Sequence, residues 1–150
     1  MSTPNYSIYA MPAFYVLGLL PQFYATILIY RATNGRFNNA NPRGQSSQQV
    51  YQKSTDAATY AKFERARGAH MNAMENLPLF FGAVISANLA GLDTGLVNSV
   101  CGTFLGLRAL HTVWYIAVTD QNLAHVRSLI WMASSGCCVY LMVKAGSVLL

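Results

Sequence analysis

Apolar positions along the chain fall in long unbroken runs, and the charges fall between them. Residues 8–30 carry no charge, 95–118 carry only Arg108, and 128–150 carry only Lys144. Each run is near the ~20 residues that a helix needs to cross a bilayer. A fourth run is mixed: residues 64–81 read ERARGAHMNAMENLPLFF, polar in the first half and apolar from Leu77, and continue apolar to about Ala90. The pattern predicts an all-α membrane domain with spans at about 8–30, 64–90, 95–118 and 124–149. Gly91 to Gly95 and Thr119 to Asn122 make short turns, which favours an antiparallel four-helix bundle. Pro12 and Pro21 predict a kinked first span and Pro78 a distorted second one. Residues 31–63, rich in Asn, Gln and Ser and broken by Asn34-Gly35 and Asn41-Pro42, predict a polar loop, with Ser54 and Asp56 as candidate caps where the second helix begins early.

Composition agrees with a bilayer environment: 53% of residues are hydrophobic and 10% charged, against roughly 25% charged in soluble domains. The charges also orient the spans. Arg31, Arg36, Arg43, Lys53, Lys62, Arg65 and Arg67 lie on or beside the long loop, whereas the turn before the third span holds only Asp93. The positive-inside rule therefore places loop 31–63 in the cytoplasm. Without a basic n-region, the first run reads as a retained span of a multi-pass protein and not as a cleaved leader. The net charge of +5 acts as a topology signal with contact to membrane lipids. Nucleic-acid binding is not expected, since no basic patch interleaves with stacking aromatics. Cys101, Cys137 and Cys138 all fall inside predicted spans and read as buried thiols, not a disulfide framework.

Polar residues inside the spans carry the candidate chemistry. Helical spacing places Arg65, Gly68, Asn72 and Glu75 on one stripe of the second span. Arg108, His111 and Tyr115, spaced by three and four, share a face of the third. Arg108 lies roughly 15 Å from the span's end at Val118, where an unpaired guanidinium costs at least ~2.5 kcal/mol. A partner is required, and Glu75 is the carboxylate at comparable depth. Arg127 and Ser128 open the fourth span, so these groups predict a polar cavity facing the cytoplasm. No metal site is expected: His70, His111 and Glu75 lack any ligand-pair spacing. Ser128 lacks a nucleophile-elbow context. Gly102 and Gly106 form a GxxxG pair, a signal for close helix contact.

ERARGAHMNAMENLPLFF, LRALHTVWY and VRS together resemble the MAPEG family, the membrane-associated proteins of eicosanoid and glutathione metabolism, and within it the microsomal prostaglandin E synthase and glutathione transferase branch. The resemblance implies a homotrimer in the endoplasmic reticulum membrane, with glutathione bound between subunits near the cytoplasmic face. It implies that Arg65, His70, Asn72, Glu75, Arg108, His111 and Tyr115 contact glutathione, that Arg127 lies beside its sulfur, and that Ser128 follows as a hydroxyl donor. It further implies that Arg31 or Arg36 reaches the tripeptide from a neighbouring subunit. The chain departs from the prostaglandin branch at Gly68 and Met71, where that branch has arginines, and at Leu123, where an arginine precedes the last helix.

The expected function is a glutathione-dependent transferase, or glutathione-assisted isomerase or peroxidase, acting on a lipophilic electrophile that enters from the bilayer. Arg127, with Ser128 or Tyr115, would stabilise the thiolate. Two alternatives keep the fold: an isomerase or cyclase working on a lipophilic metabolite without glutathione, and a non-catalytic regulatory or scaffold trimer.

Overall fold

The structure, a computed structural model, describes residues 4–149, which are helical throughout apart from short connections. Five helices follow one another: α1 (Ser7–Ala32), α2 (Gln45–Ser54), α3 (Ala57–Leu89), α4 (Thr94–Ala117) and α5 (Gln121–Leu149). The four long ones cover the four apolar runs of the sequence. One expectation changes: the loop over 31–63 contains α2. Helix α3 begins early, at the Asp56 cap, as expected, and α1 and α3 continue as helix through Pro12, Pro21 and Pro78.

Local chemistry fixes the ends of these helices. Asp56 caps α3 by accepting from the Thr59 amide at 2.9 Å, and Asp93 caps α4 by accepting from the Leu96 amide at 2.8 Å. After α3, Gly91 takes φ 66°, a left-handed conformation that glycine reaches without strain. The Leu92 amide then reaches back to the Ala87 carbonyl at 3.1 Å and the Gly91 amide to Asn88 at 3.1 Å. That is the paired closure that turns a chain sharply out of a helix.

Contacts between helices set their directions. Along α1 and α3 the meeting pairs run Asn88 with Ser7, Phe80 with Phe14, His70 with Gly18 and Lys62 with Tyr24. The register descends on one helix as it rises on the other, so the two are antiparallel. Arg65 with Ile116, Asn72 with Arg108 and Phe80 with Phe104 show the same for α3 and α4. Helix α5 packs on α3 and α4.

Two apolar centres hold the helices together. In the larger one Phe80 and Phe104 stack at 4.0 Å between centroids, and Phe14 meets both edge-on at 5.5 and 4.8 Å. Ala10, Ala73, Ala83 and Ala87 surround these rings, small side chains that let helix backbones approach closely. The smaller centre lies at the loop end and contains Ala25, Ile29, Tyr51, Phe63 and Ala66. Tyr51 explains why α2 exists as a packed element. Its ring stacks on Phe37 at 5.7 Å and meets Phe63 edge-on, and its hydroxyl accepts from the Asn38 amide at 3.0 Å. Arg67 adds a bond from α3 to the Gln48 side chain at 2.7 Å.

Helices α1 and α5 are long and apolar enough to cross a membrane by length and composition, whereas α3 and α4 fall short of the same measure. The latter two carry most of the polar side chains described below. On α1, Tyr9, Val16, Phe23 and Tyr30 recur every seven residues and are each more than half exposed, an apolar stripe of a kind that soluble monomers rarely leave uncovered.

The Asp56 cap makes a pH-dependent contribution. Hydrogen bonds from Thr59, its side chain first and its amide second, hold the Asp56 carboxyl below the ordinary value. A carboxylate lowered in the folded state stabilises fully above its unfolded pKa, near ~3.9, and that contribution is lost as pH falls through the folded value. Asp56→Asn keeps a capping oxygen without the charge. In thermal unfolding followed from neutral to acid pH, this variant is expected to show a shallower acid loss of Tm than the parent.

Candidate functional site

The inward face of α4 continues from apolar to polar without changing its period. Val97, Cys101, Phe104, Arg108 and His111 are its buried residues, spaced alternately by four and three. The stripe that packs the core therefore delivers Arg108 and His111 into the bundle at the end where the basic loop lies. Tyr115 follows one turn later. Across from it, α3 presents Asn72 and α5 presents Arg127, Ser128 and Trp131. Asn72, His111, Tyr115, Arg127, Ser128 and Trp131 line one cleft of about 240 Å³. Two other grooves, of about 270 and 370 Å³, border α4 on the α1 and α5 sides. Their walls are mostly apolar and hold no charged side chain, so of the three it is the first cleft that gathers polar and charged groups.

Arg108 is 1% exposed and His111 2%. The guanidinium donates from Nη2 to Asn72 Oδ1 at 2.7 Å and to the Asn72 carbonyl at 3.3 Å, and its Cζ lies 5.5 Å from the centroid of the Phe14 ring. This corrects the expected pairing with Glu75, whose side chain is exposed on the outside of α3. Among the described residues, Arg108 Nε and Nη1 and His111 Nδ1 are buried without a hydrogen-bond partner. A buried donor left unsatisfied costs ~1–3 kcal/mol, more when it is charged. His111, which lines the cleft, and Arg108, which lies behind Asn72, therefore keep hydrogen-bonding capacity that the described side chains do not use.

At the mouth the charge sits on an aromatic face. The Arg127 Cζ lies 4.2 Å from the centroid of the Tyr115 ring, and the His111 ring meets that ring at 67° with 5.7 Å between centroids. Guanidinium over a tyrosine face is attracted by the ring quadrupole, which holds Arg127 over the cleft; among the described residues its N–H edge has no acidic partner.

Other predicted site residues lie elsewhere. Arg65 Nε donates to the Ile116 carbonyl at 3.0 Å, in the last turn of α4 where carbonyls lack helical partners. His70 is buried against α1 with Nδ1 2.8 Å from the Gly18 carbonyl; the carbonyl only accepts, so Nδ1 carries the proton. Arg31 is exposed in the last turn of α1, and Arg36 is exposed beside a small cleft with Thr33, Asn34 and Ser54. The Gly102 and Gly106 pair faces open space: an added Cβ at either would meet nothing among the described residues within 4 Å. Sequence reasoning missed Trp131. It stands four residues after Arg127 and three after Ser128, and that helical spacing was the available signal.

The MAPEG family model matches residues 10–147 of the chain. The chain belongs to the MAPEG family. Its match to microsomal glutathione S-transferase 1 of Sus scrofa is 30% identical over 125 residues, covering 81% of this chain and 77% of the relative. Against the protein of the same name from Mus musculus, identity is 35% over 63 residues, 42% of this chain and 41% of that one. No solved structure matches. All the cleft residues of this MAPEG chain fall within the family match.

The Asn72 contact generates a direct expectation. Removing it in Asn72→Ala leaves the buried guanidinium without a side-chain acceptor, and a hydrogen bond to a charged group contributes ~1.5–3 kcal/mol. Unfolding in detergent should show a loss of about 2 kcal/mol for Asn72→Ala. In an Arg108→Met background the same substitution should cost much less, and equal losses in both backgrounds would refute the pairing.

Proposed function

We propose that the chain is a membrane-embedded, glutathione-dependent transferase acting on a lipophilic electrophile. The observation that carries this reading is the donor-rich cleft, in which Arg127 lies on the Tyr115 ring beside Ser128 and His111; behind Asn72, Arg108 keeps Nε and Nη1 without acceptors among the described residues. A ligand that fits is anionic and rich in acceptors, as glutathione is with two carboxylates, two amides and a thiol. The names of the relatives, glutathione S-transferases, support the same choice.

Bound in this cleft, glutathione would supply a thiolate nucleophile. A free thiol has a pKa near ~8.5 and is only slightly ionised at neutral pH. Arg127 supplies a fixed positive charge at the mouth, which favours the ionised form of a thiol beside it. Ser128 Oγ or Tyr115 Oη donates a hydrogen bond to the same anion. Asn72, Arg108 and His111 hold the peptide part. Trp131, exposed on α5, gives the cleft an apolar lip toward which an electrophile dissolved in the bilayer would approach. Holding both reactants in one restricted cleft supplies much of the rate.

The same proposal includes four membrane crossings by α1, α3, α4 and α5 in the endoplasmic reticulum, with the loop and α2 on the cytoplasmic side, and assembly as a homotrimer. Glu75 supports assembly. It is an exposed carboxylate on the outer side of α3, close in sequence to the level where Asn72 meets Arg108, and a charge facing lipid at that depth is costly. A second copy covers it and can bring Arg31 or Arg36 toward the cleft.

A second reading, a thiol-independent isomerase, draws on Gly68, which puts no cation against the Tyr115 ring, and on Met71, exposed on the same helix. Turnover of a lipophilic metabolite in the absence of any thiol would favour it.

The test is to purify the protein in detergent, follow thiolate absorbance on adding glutathione, and assay conjugation of an aryl halide. Binding and turnover are expected, with kcat/KM falling on the order of a hundredfold in Arg127→Ala, comparable to loss of one transition-state donor. No binding at millimolar glutathione would sink the proposal, while full activity in Arg127→Ala would remove the role given to that residue.

A further inference from the structure

Gly68 is half-buried in the middle of α3, where glycine is a poorer helix former than alanine. Its backbone does not need glycine, since the only positive-φ glycines among the described residues are Gly35 and Gly91. Space is what it supplies. A Cβ built at Gly68 would lie 2.7 Å from Tyr115 Oη and 3.1 Å from both Cε1 and Cζ. These atoms belong to a rigid ring, so relief requires turning the whole Tyr115 side chain about its own rotamers. The buried His111 ring stands against Tyr115 as well, and the ring's face carries Arg127 at 4.2 Å.

We propose that Gly68 is a positioning residue for Arg127: its missing side chain seats the Tyr115 ring against α3, and the seated ring holds the guanidinium at the mouth of the cleft. The chain thereby places a cation at the cleft from α5 through a ring lodged on α3. The inference rests on the transferase reading for its consequence, a thiol held ionised by a correctly placed Arg127. The seat itself is independent of any ligand.

Two measurements on the full-length protein separate these parts. The first is a set of thermal cycles without glutathione. On an otherwise empty surface Gly68→Ala raises Tm through helix propensity. Here it is expected to leave Tm unchanged or lower it in the parent, to raise it once Tyr115→Ala has removed the ring, and to cost less in Arg127→Ala than in the parent. Contacting residues show such non-additivity, whereas independent sites do not. A Tm gain of equal size in all three backgrounds overturns the proposal.

The second measurement is the pH dependence of thiolate absorbance with bound glutathione. Gly68→Ala is expected to move the apparent pKa upward, toward the free-thiol value of ~8.5, and Arg127→Ala to do the same. The double variant should shift little further than either alone. An unchanged profile in Gly68→Ala, or shifts that add in full, overturns the positioning role. If the parent binds no glutathione, the transferase reading fails, and the thermal cycles alone decide whether Gly68 seats the Tyr115 and Arg127 stack.

Discussion

A guanidinium buried at the centre of a helical bundle constrains everything around it. Arg108 has the periodicity of a core residue, continuing the stripe of Val97, Cys101 and Phe104, so α4 cannot turn it outward without exposing that stripe's apolar packing. The helix that meets it must bring an acceptor to the same level, and α3 does so with Asn72, using both the side chain and the backbone carbonyl. Phe14 of α1 closes the other side. One residue thus ties three helices to a common register. Because a neutral amide satisfies only part of a guanidinium, the same constraint leaves donors beside the cleft.

Close approach between helices is the second organising feature, and it is built from small residues at particular places. Gly18 packs against Ala73 and Met74 of α3, and its carbonyl then lies within reach of His70. A polar residue in the most family-like stretch of the sequence is in this way used for structure. Gly68 does the corresponding work on the opposite side of α3, where the space goes to the Tyr115 ring. Helix α3 therefore separates a face packed against α1 from a face that borders the polar cleft, directed at α4 and α5.

The ends of the molecule differ in the same sense. At the loop end, α2 is bound through Tyr51 and through the bond from Arg67 to Gln48, and most of the basic side chains gather there. At the other end α3 and α4 turn tightly through Gly91 and Asp93. Arg67 illustrates the division. It is adjacent to Gly68, but one helical step is about 100°, which points it at α2 and away from the cleft.

Much of this was written in the sequence. The apolar runs marked four long helices, Asp56 and Gly91 marked ends, and the spacing of Arg108, His111 and Tyr115 placed them on one face, because those features depend on neighbours within a few residues. The sequence also named Asn72, Arg127 and Ser128 through their resemblance to family motifs. What it left open depended on how far one helix slides and rotates against another. Asn72 and Glu75 are three residues apart on similar faces, and only the crossing of α3 and α4 decided that Asn72 meets Arg108 while Glu75 faces outward. The polar composition of 31–63 hid α2, whose stability comes from burying Tyr51 against Phe37 and Phe63 and not from a periodic apolar face. Gly68 read as a lost cation; only the tertiary structure made it the seat of an aromatic ring, because an absent side chain acquires a meaning from what another helix puts in its place.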